Sequence, residues 1–468
     1  MSRIVVVSNR VPVPSGNAGH AGGLAVALLG LMQRRGGLWF GWSGAVTERP
    51  AGSATTPSFA QRGAVGYATL DLTEAEHGGY YTGYSNGVLW PTLHALPHLM
   101  QFRRQDLDIY RKVNRRFAQC LTPLLRQDDR IWVHDYHLMS LPGALRGQGV
   151  RNPTGFFLHV PFPGPEAVAV APGIRGLIQD VLEADLIGFQ TATDRDNFAA
   201  TAIEFAGAER IGDQMMEMAG RPVRLGVFPA EIDAREFAAT AAAQARKEPA
   251  QLLADSLRGQ ALLLGVDRLD PTKGLPERLE AFSRTIARRP ARSATMLQIA
   301  APSREDVAAY RRLRAEVDSA AGAINSEFGE PDWLPLRLLA RPQARDTVAA
   351  FMRLARVGVV TPLRDGMNLV AKEYIAAQDP ADPGVLVLSR FAGAAAQLGS
   401  ALLVNPHDAE GMAEALHRAL DMPLGERRDR WQSSWEAIAG ATPEGWGENF
   451  LRALTPEGLA RLPVVGTA

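Results

Sequence analysis

Cysteine, net charge and long apolar runs are all scarce in this chain. Cys120 is the only cysteine, and fifty basic residues balance fifty acidic ones. One cysteine excludes an internal disulfide and a zinc site built on several thiolates. A net charge of zero argues against a nucleic-acid partner, because such proteins carry a basic excess or stripe. No run approaches the roughly eighteen apolar residues of a membrane span, so we expect no membrane partner.

The start of the chain does not resemble a signal peptide. Its apolar run, Ile4 to Val7, covers only four residues before a polar turn, which is too short for the apolar region of such a peptide. We therefore expect a cytoplasmic protein. A Gly-x4-Gly-Lys-Ser/Thr phosphate loop is also missing, which argues against a nucleotide hydrolase of that type.

Short β-branched runs alternate with loops and amphipathic segments along most of the chain. This alternation predicts an α/β protein with parallel sheets wrapped by helices. The length of 468 residues favours two domains. The predicted strands lie at residues 4–7, 130–134, 154–159, 186–189, 224–228, 261–266, 295–300, 336–339, 357–361, 385–388 and 401–404.

The strand pattern is interrupted once, between Pro229 and Glu236. We therefore predict a first domain over residues 1–235 and a second over residues 236–445, with the helix at about 446–468 packing back on the first. Both are expected to be doubly wound, facing each other across a cleft, and such a cleft suits a substrate made of two parts.

The segment from Val357 to Glu373 has the features of a ligand site. A β-branched run ends at Thr361, a polar loop carries Asp365, Gly366 and Asn368, and a helix follows. In open parallel sheets, ligands lie beyond the carboxyl ends of the strands, where helix N-termini point free N–H groups at them. The loop predicts a nucleotide-sugar pocket, with Asp365 near sugar hydroxyls and Glu373 near a ribose.

A second strand, loop and helix run from Gly265 to Arg278. Its loop contains Arg268 and Lys273, and Pro276 stands near the start of the helix. Two cations beside a helix N-terminus favour a diphosphate, which arginine grips through two bonds and lysine attracts as a point charge.

The first half of the chain offers further polar groups at strand ends. Arg10 closes the opening strand, Asp135 and His159 follow later ones, and the pair Gly22-Gly23 precedes a helix. His134 and His137 have a spacing that could suit a metal, but a further ligand is missing nearby, so packing histidines are the better interpretation.

These motifs together resemble those of the α,α-trehalose-phosphate synthases, retaining glycosyltransferases of family 20, over residues 2 to about 450. The resemblance implies the GT-B fold, metal-independent catalysis without a cofactor, and transfer from UDP-glucose to glucose 6-phosphate. The motifs that carry it are Ser8-Asn9-Arg10, Gly22-Gly23-Leu24, Leu38 to Gly44, Ser85-Asn86 with Trp90-Pro91, Trp132 to His137, Phe156 to Pro163, Arg268 to Gly274 and Thr361 to Asp379.

The resemblance also implies roles for individual residues. The residues implied in catalysis are His159, Asp135, Arg268, Lys273 and Asp365. Those implied in donor binding are Gly22, Gly23, Arg268, Lys273, Asp365, Gly366, Met367, Asn368, Leu369, Val370 and Glu373. Those implied in acceptor binding are Arg10, Tyr81, Trp90, Asp135 and Arg304. No metal ligand is implied, and a homo-oligomer is expected.

The chain departs from the family pattern at four positions near these motifs. Pro271 stands where tyrosine is common, Thr82 where asparagine is common, Glu231 where glycine is common, and Glu305 where a small residue is common. These departures affect the expectation for base preference and domain closure rather than for the reaction class. The chain ends near the family's synthase boundary, so we expect no fused phosphatase.

Three alternatives remain open at this point. One is a pseudo-glycosyltransferase that joins a cyclitol nucleotide to an amino-cyclitol phosphate. Another is a synthase that uses a different phosphorylated acceptor, or GDP-glucose or ADP-glucose as donor. The third is a catalytically silent regulatory subunit, which would have no need of Arg268, Lys273 and Asp365.

Overall fold

The computed structural model describes residues 2–13, 23–48, 56–304, 307–455 and 458–459. The chain divides into two compact units. The first contains the residues up to Ala230 together with those from Pro443 onward, and the second is Glu231–Thr442. The division thus falls a few residues before the boundary that the sequence predicts.

A ten-stranded sheet forms the middle of the first unit. The strands lie in the order β3-β4-β2-β1-β5-β6-β7-β10-β9-β8. Seven are parallel to one another, whereas β3, β9 and β8 pair antiparallel at the two edges. In chain order the strands are β1 (Ile4–Arg10), β2 (Gly37–Thr47), β3 (Ser58–Arg62), β4 (Val65–Thr73), β5 (Arg130–His134), β6 (Thr154–Phe157), β7 (Leu186–Phe189), β8 (Glu209–Gly212), β9 (Met215–Met218) and β10 (Arg221–Val227).

Five strands of this sheet were not predicted from the sequence: β2, β3, β4, β8 and β9. Strand β2 contains Gly41, where a Cβ would overlap the carbonyl oxygen of Ser8 on β1. Glycine is therefore required for the close approach of two central strands, although glycine inside a segment normally argues against a strand. Strands β3, β8 and β9 lie at the sheet edges and lack a continuous apolar run.

The helices of the first unit cover both faces of its sheet, as expected for strands that are buried on both sides. Between α2 and α3 the chain continues as a π-helical segment, His77–Leu89. The helices are α1 (Gly23–Arg35), α2 (Glu74–Glu76), α3 (Trp90–Leu93), α4 (Arg104–Leu121), α5 (Leu141–Gly147), α6 (Pro165–Ala169), α7 (Ile174–Val181), α8 (Ala192–Thr201) and, at the far end of the chain, α17 (Pro443–Ala453).

Helix α17 is part of the core of the first unit. Trp446 and Phe450 on this helix pack against Trp132 of β5, with ring centroids 5.1 and 4.5 Å apart. Trp446 Nε1 also donates a hydrogen bond of 3.0 Å to the carbonyl oxygen of Phe228. The aromatic side chains of α17 therefore pack on one face of the sheet, against the strands β5 and β6 that lead to Asp135 and His159.

A six-stranded parallel sheet forms the second unit, in the order β13-β12-β11-β14-β15-β16. This is the order of a dinucleotide-binding fold, in which the winding direction reverses between the first and fourth strands. The strands are β11 (Ala261–Arg268), β12 (Ala294–Ala301), β13 (Leu336–Leu339), β14 (Val357–Val360), β15 (Val385–Ser389) and β16 (Leu402–Val404).

The helices of the second unit lie on both faces of this sheet. Helices α11, α12 and α15 contribute Phe282, Val317 and Leu416 to a buried apolar cluster on one face. None of the helices that the structure describes, in either unit, is long and apolar enough to cross a membrane. The helices of this unit are α9 (Ala234–Gln244), α10 (Glu248–Leu257), α11 (Leu275–Ala287), α12 (Ala308–Phe328), α13 (Arg345–Leu354), α14 (Leu369–Ala377), α15 (Ala409–Asp421) and α16 (Leu424–Ile438).

Candidate active site

The two motifs predicted in the second half of the chain meet where the sheet reverses its winding. Strands β11 and β14 are neighbours and run parallel, so the loops that follow them open at the same edge of the sheet. Leu363 N–H donates a 2.7 Å hydrogen bond to the carbonyl oxygen of Thr272, which fastens one loop to the other. This is the position at which doubly wound sheets bind their ligands.

Glycine at two positions allows these loops to pack closely. Gly274 has φ of 62°, and a Cβ there would contact the carbonyl oxygen of Thr361. A Cβ on Gly393 would overlap the carbonyl oxygen of Gly366. The backbone of Asp365 is held from both sides, because its N–H donates to the Phe391 carbonyl at 3.1 Å and its carbonyl accepts from Gly393 N–H at 3.1 Å.

Lys273 and Asp365, both predicted site residues, contact each other directly. Lys273 Nζ donates a hydrogen bond to Asp365 Oδ2, and the same oxygen accepts from Asn368 Nδ2 at 3.0 Å. Both side chains of the ion pair are largely but not fully buried. Lys273 and Asp365 thus hold an ammonium and a carboxylate together at the mouth of the sheet.

Helix α14 starts immediately after this group. Its N-cap, Asn368, has a left-handed backbone and makes no side-chain capping bond, and the first turn has no acidic residue. The N–H groups of Leu369 and Val370 have no carbonyl partner within the helix. Gly366 and Met367 are buried just before them, so the helix N-terminus follows directly on the loop that carries Asp365.

A buried polar cluster holds the loop after β11 in place. The sequence alone did not reveal it. Arg278 on α11 is completely buried, and its guanidinium donates to Asp267 Oδ2 at 2.6 Å and Gln298 Oε1 at 2.9 Å. It also donates to Thr361 Oγ1 at 3.0 Å and to the carbonyl oxygen of Lys273 at 3.2 Å. Burial raises the pKa of Asp267, although Arg278 and Lys273 oppose the shift. Arg278 therefore positions Lys273 through its backbone.

Arg268 and Arg304 both act electrostatically on the buried carboxylate of Asp270. Burial acts to raise the pKa of Asp270, but Arg304, Arg268 and Lys273 together lower it. Asp270 Oδ2 accepts from the Tyr310 hydroxyl at 3.1 Å, and that hydroxyl accepts from Arg304 Nη1 at 2.7 Å. Arg268 is exposed and has no carboxylate partner among the described residues. Arg304, Arg268 and Lys273 thus place positive charge near an ionised Asp270.

Tyr310 is expected to orient Arg304, the predicted ligand of the acceptor phosphate. Tyr310→Phe removes the hydroxyl and should raise KM for the sugar phosphate roughly tenfold, the value of one hydrogen bond to a charged group, with kcat changed less than about threefold. Steady-state kinetics would measure both constants. Tyr374→Phe is the matched control, because the Tyr374 hydroxyl donates to a backbone carbonyl oxygen, that of Ala355. Equal KM values in the wild type and Tyr310→Phe would contradict this role.

Glu373 lies one turn into α14, where a ribose was predicted. Burial raises its pKa to about 7, and the Arg345 guanidinium, 3.7 Å away, only partly opposes the shift. The preceding residue, Lys372, points elsewhere and is fully buried. Its Nζ donates at 2.6 Å to Glu231, which also accepts from Gln397 Nε2 at 2.9 Å. Glu231, one of the departures from the family pattern, thus neutralises a buried lysine next to Glu373.

In the first unit, Arg10 lies at the end of β1. Its guanidinium extends over Gly44, where a Cβ would lie 2.7 Å from Arg10 Nε. Arg10 is exposed and has no carboxylate partner in the described part of the chain, which leaves it available to an anion. Tyr81 is close by, because its ring packs 5.8 Å from Trp42, the residue paired with Arg10 across the sheet.

Trp90 is placed differently from Arg10 and Tyr81. It is only 5% exposed and packs on His94 with ring centroids 4.6 Å apart. This is typical of a core residue, so its contact with a sugar stays a prediction. Gly22 and Glu305 fall outside the described residues, while Gly23 begins α1.

Asp135 and His159 are brought together by the neighbouring strands β5 and β6. The backbone N–H of His159 donates a hydrogen bond to Asp135 Oδ1 at 3.2 Å. Asp135 has φ 75° and ψ 167°, a region that is essentially restricted to glycine and costs about 1–3 kcal/mol. Of the seven non-glycine residues with positive φ in the described ranges, three are predicted site residues: Asp135, Arg304 and Asn368. Such strain is concentrated at functional sites.

The histidines near Asp135 make packing contacts. His137 stacks on Tyr136, with ring centroids 4.0 Å apart, and His134 lies against His159. In the described ranges no three histidine, cysteine or acidic residues are grouped so that they could hold a metal ion. Gly83 to Gly87 matches the Gly-x-Ser-x-Gly pattern, but its serine, Ser85, is completely buried within the π-helical segment. A nucleophilic serine at a strand-to-helix turn is therefore absent from this motif.

Comparison with known proteins gives a consistent result over nearly the whole chain. The sequence model of glycosyltransferase family 20 matches residues 2–456. A trehalose-6-phosphate synthase of Sinorhizobium fredii is 44% identical over 461 residues, which cover 97% of this chain and 98% of the relative.

Solved structures agree with the sequence relatives. An α,α-trehalose-phosphate synthase (UDP-forming) from Burkholderia xenovorans in complex with glucose-6-phosphate has a TM-score of 0.92 at 44% identity, covering 97% of this chain and all of that chain. An E. coli trehalose-6-phosphate protein bound with UDP-2-fluoro glucose has a TM-score of 0.90 at 42% identity, covering 97% and 99%. The chain belongs to glycosyltransferase family 20.

Proposed function

We propose that this protein transfers glucose from UDP-glucose to glucose 6-phosphate, with retention at the anomeric carbon, giving α,α-trehalose 6-phosphate and UDP. The observation that carries the proposal is the pairing of Lys273 with Asp365 where the second sheet reverses its winding, at the start of α14. The family relatives support the substrates, since one was solved with glucose-6-phosphate and another with a UDP-2-fluoro glucose.

The donor is assigned to the loops of the second unit. Lys273, Arg268 and the first N–H groups of α14 stabilise the diphosphate as it leaves and gains negative charge. Asp365 holds hydroxyls of the transferred glucose, and Glu373 the ribose hydroxyls. Donors that are in place before the reaction need no reorganisation when charge develops, which is the main source of their catalytic effect.

The acceptor is assigned to the cations and polar groups that the family resemblance implies. Arg10, Tyr81 and Arg304 bind the phosphate of glucose 6-phosphate, and Asp135 binds its hydroxyls. In the reaction, the bond from the anomeric carbon to the diphosphate oxygen breaks while the acceptor hydroxyl oxygen forms the new bond on the same face. The proton of that hydroxyl passes to the leaving diphosphate oxygen, so this proton transfer requires no carboxylate from the protein.

The direct test is nucleotide diphosphate release by the purified protein with UDP-, GDP- or ADP-glucose, each with and without glucose 6-phosphate. We expect UDP release that depends on glucose 6-phosphate and is slower with the other two donors. Turnover only with a different acceptor or base would replace the assignment with one of the related synthases. Absence of turnover with every pair, by a folded protein, would favour a silent subunit.

Donor affinity should depend on pH through Glu373. Its pKa of about 7 means that the carboxyl is largely ionised at pH 8 and largely protonated at pH 6. A ribose hydroxyl that donates to the carboxylate loses its acceptor when the group is protonated, so binding weakens as pH falls. We expect the Kd of UDP-glucose to rise roughly tenfold from pH 8 to pH 6.

Calorimetry with UDP-glucose alone would measure this dependence. The diphosphate diester does not titrate in this range, and no sugar phosphate is present to titrate either. Glu373→Gln is the matched control, because the amide keeps the shape of the side chain but has no titratable group. The Kd of Glu373→Gln should not change with pH between 6 and 8. If its Kd depends on pH as that of the wild type does, another group is responsible.

A further inference from the structure

A histidine without an assigned role lies in direct contact with His159. His134 is the last residue of β5, and its Nδ1 lies 3.0 Å from Nε2 of His159, just after the neighbouring strand β6. The two rings are nearly parallel, with centroids 5.3 Å apart. At this distance and orientation, one ring N–H donates a hydrogen bond to the other ring nitrogen.

Both rings are held neutral. Burial lowers the pKa of His159 to about 3, and burial together with the neighbouring His159 lowers the pKa of His134 well below its usual value. Aromatic side chains surround the pair: Trp132 lies 4.5 Å from the His134 ring, and Phe157 and Trp446 lie 4.6 and 6.0 Å from His159. Each imidazole therefore has one N–H and one lone pair, and the two tautomers are linked through the shared hydrogen bond.

The surroundings of His134 favour one of the two arrangements. Its Nε2 is buried and has no hydrogen-bond partner among the described residues, and the same holds for Nε1 of the adjacent Trp132. An indole nitrogen can only donate. Protonation of His134 Nε2 would place a second buried donor without a partner beside the first, which is rare in proteins. A lone pair on His134 Nε2 avoids this, so the proton belongs on Nδ1.

We infer that His134 is a positioning residue that fixes His159 in the tautomer with its proton on Nδ1. His134 Nδ1–H donates to His159 Nε2, and His159 Nδ1, which has no hydrogen-bond partner in the described part of the chain, becomes a neutral N–H donor. The inference rests on the proposed function, in which His159 lies against the transferred glucose. There, His159 donates to a sugar oxygen and cannot accept from a hydroxyl.

Two variants separate this role from simple packing. Asparagine places its amide nitrogen where Nδ1 of histidine lies, and can donate to His159 Nε2, whereas phenylalanine fills the aromatic site but cannot. We expect His134→Phe to lower kcat/KM for UDP-glucose roughly tenfold and His134→Asn to stay within about threefold of the wild type. A packing role predicts the reverse order, because phenylalanine suits this aromatic cluster better than asparagine, and that order would overturn the inference.

A second measurement does not depend on activity. In protein labelled with 15N-histidine, two-bond 1H–15N correlations report which ring nitrogen carries the proton, and His159→Gln assigns the signal by its loss. The inference predicts His159 protonated at Nδ1 in the wild type. Protonation at Nε2 would overturn it even if glucosyl transfer is confirmed, while failure of the transfer assay would leave the tautomer result in place.

Discussion

Replacement of Lys273 by alanine is expected to lower kcat roughly 100- to 1,000-fold, the usual effect of removing a preorganised group that stabilises charge in the transition state. Lys273 Nζ is held by the carboxylate of Asp365, which fixes the ammonium at the loop that we assign to the diphosphate. Steady-state nucleotide release under saturating substrates would measure the loss.

The same variant should remain folded. Asp365 keeps its hydrogen bond from Asn368 Nδ2 and some contact with solvent in this variant, so its carboxylate is not left buried without a partner. Lys247→Ala is the matched control, because Lys247 is an exposed lysine of the same unit with no ion pair in the described residues. Normal turnover by Lys273→Ala would refute the role assigned to Lys273, and a similar loss in Lys247→Ala would point to a general effect of charge.

The second large effect is expected on stability. Glu231→Ala leaves the ammonium of Lys372 buried without its carboxylate, in a side chain with no exposed surface. Breaking a buried pair from one side typically costs about 3–5 kcal/mol in the free energy of unfolding. Hydrogen–deuterium exchange of a peptide covering α14 should show the loss of protection directly.

A double variant tests whether charge is the cause. Glu231→Ala with Lys372→Met removes both charges, so we expect it to be more stable than Glu231→Ala alone. Arg314→Ala is the control, since it breaks an exposed pair with Asp318 on α12 and should cost less than about 1 kcal/mol. Equal destabilisation by the single and double variants would show that the lost packing, rather than the charge, is responsible.

The sequence predicted the second sheet more completely than the first. All six strands of the second unit were predicted to within about two residues, because strands buried on both faces appear as continuous apolar runs. In the first unit, β2 was missed because glycine inside a segment normally argues against a strand. Here Gly41 is needed for the close approach of β1 and β2. Strands β3, β8 and β9 were missed because they lack a continuous apolar run, and their place in the sheet comes from pairing with neighbouring strands.

The site shows the same division. Loops that follow buried strands are recognisable as candidate ligand sites in the sequence, and Lys273 and Asp365 lie in two such loops. Arg278, Tyr310 and His134 could not be identified from the sequence, because each is held in place by a contact that only the fold creates: Arg278 with Thr361, Tyr310 with Asp270 and His134 with His159. The sequence does show two acidic residues, Asp267 and Asp270, close to Arg268, and both of them are buried.

The structure also explains one departure from the family pattern. A glutamate at position 231 has no evident use in the sequence, where only the absence of the common glycine is visible. Its contact with Lys372, on the helix that carries Glu373, gives it a physical role. Pro271 likewise fits its position, the first residue of a short turn that leads to Lys273.

The most direct measurement is the structure of the product formed from UDP-glucose and glucose 6-phosphate, determined by NMR of the reaction mixture. We predict one disaccharide phosphate with both anomeric carbons in the α configuration, formed in equal amount with UDP. A β-linked product, a sugar transferred elsewhere on the acceptor, or UDP released with free glucose would contradict the assignment of Lys273, Asp365 and Asp135 to a retaining synthase.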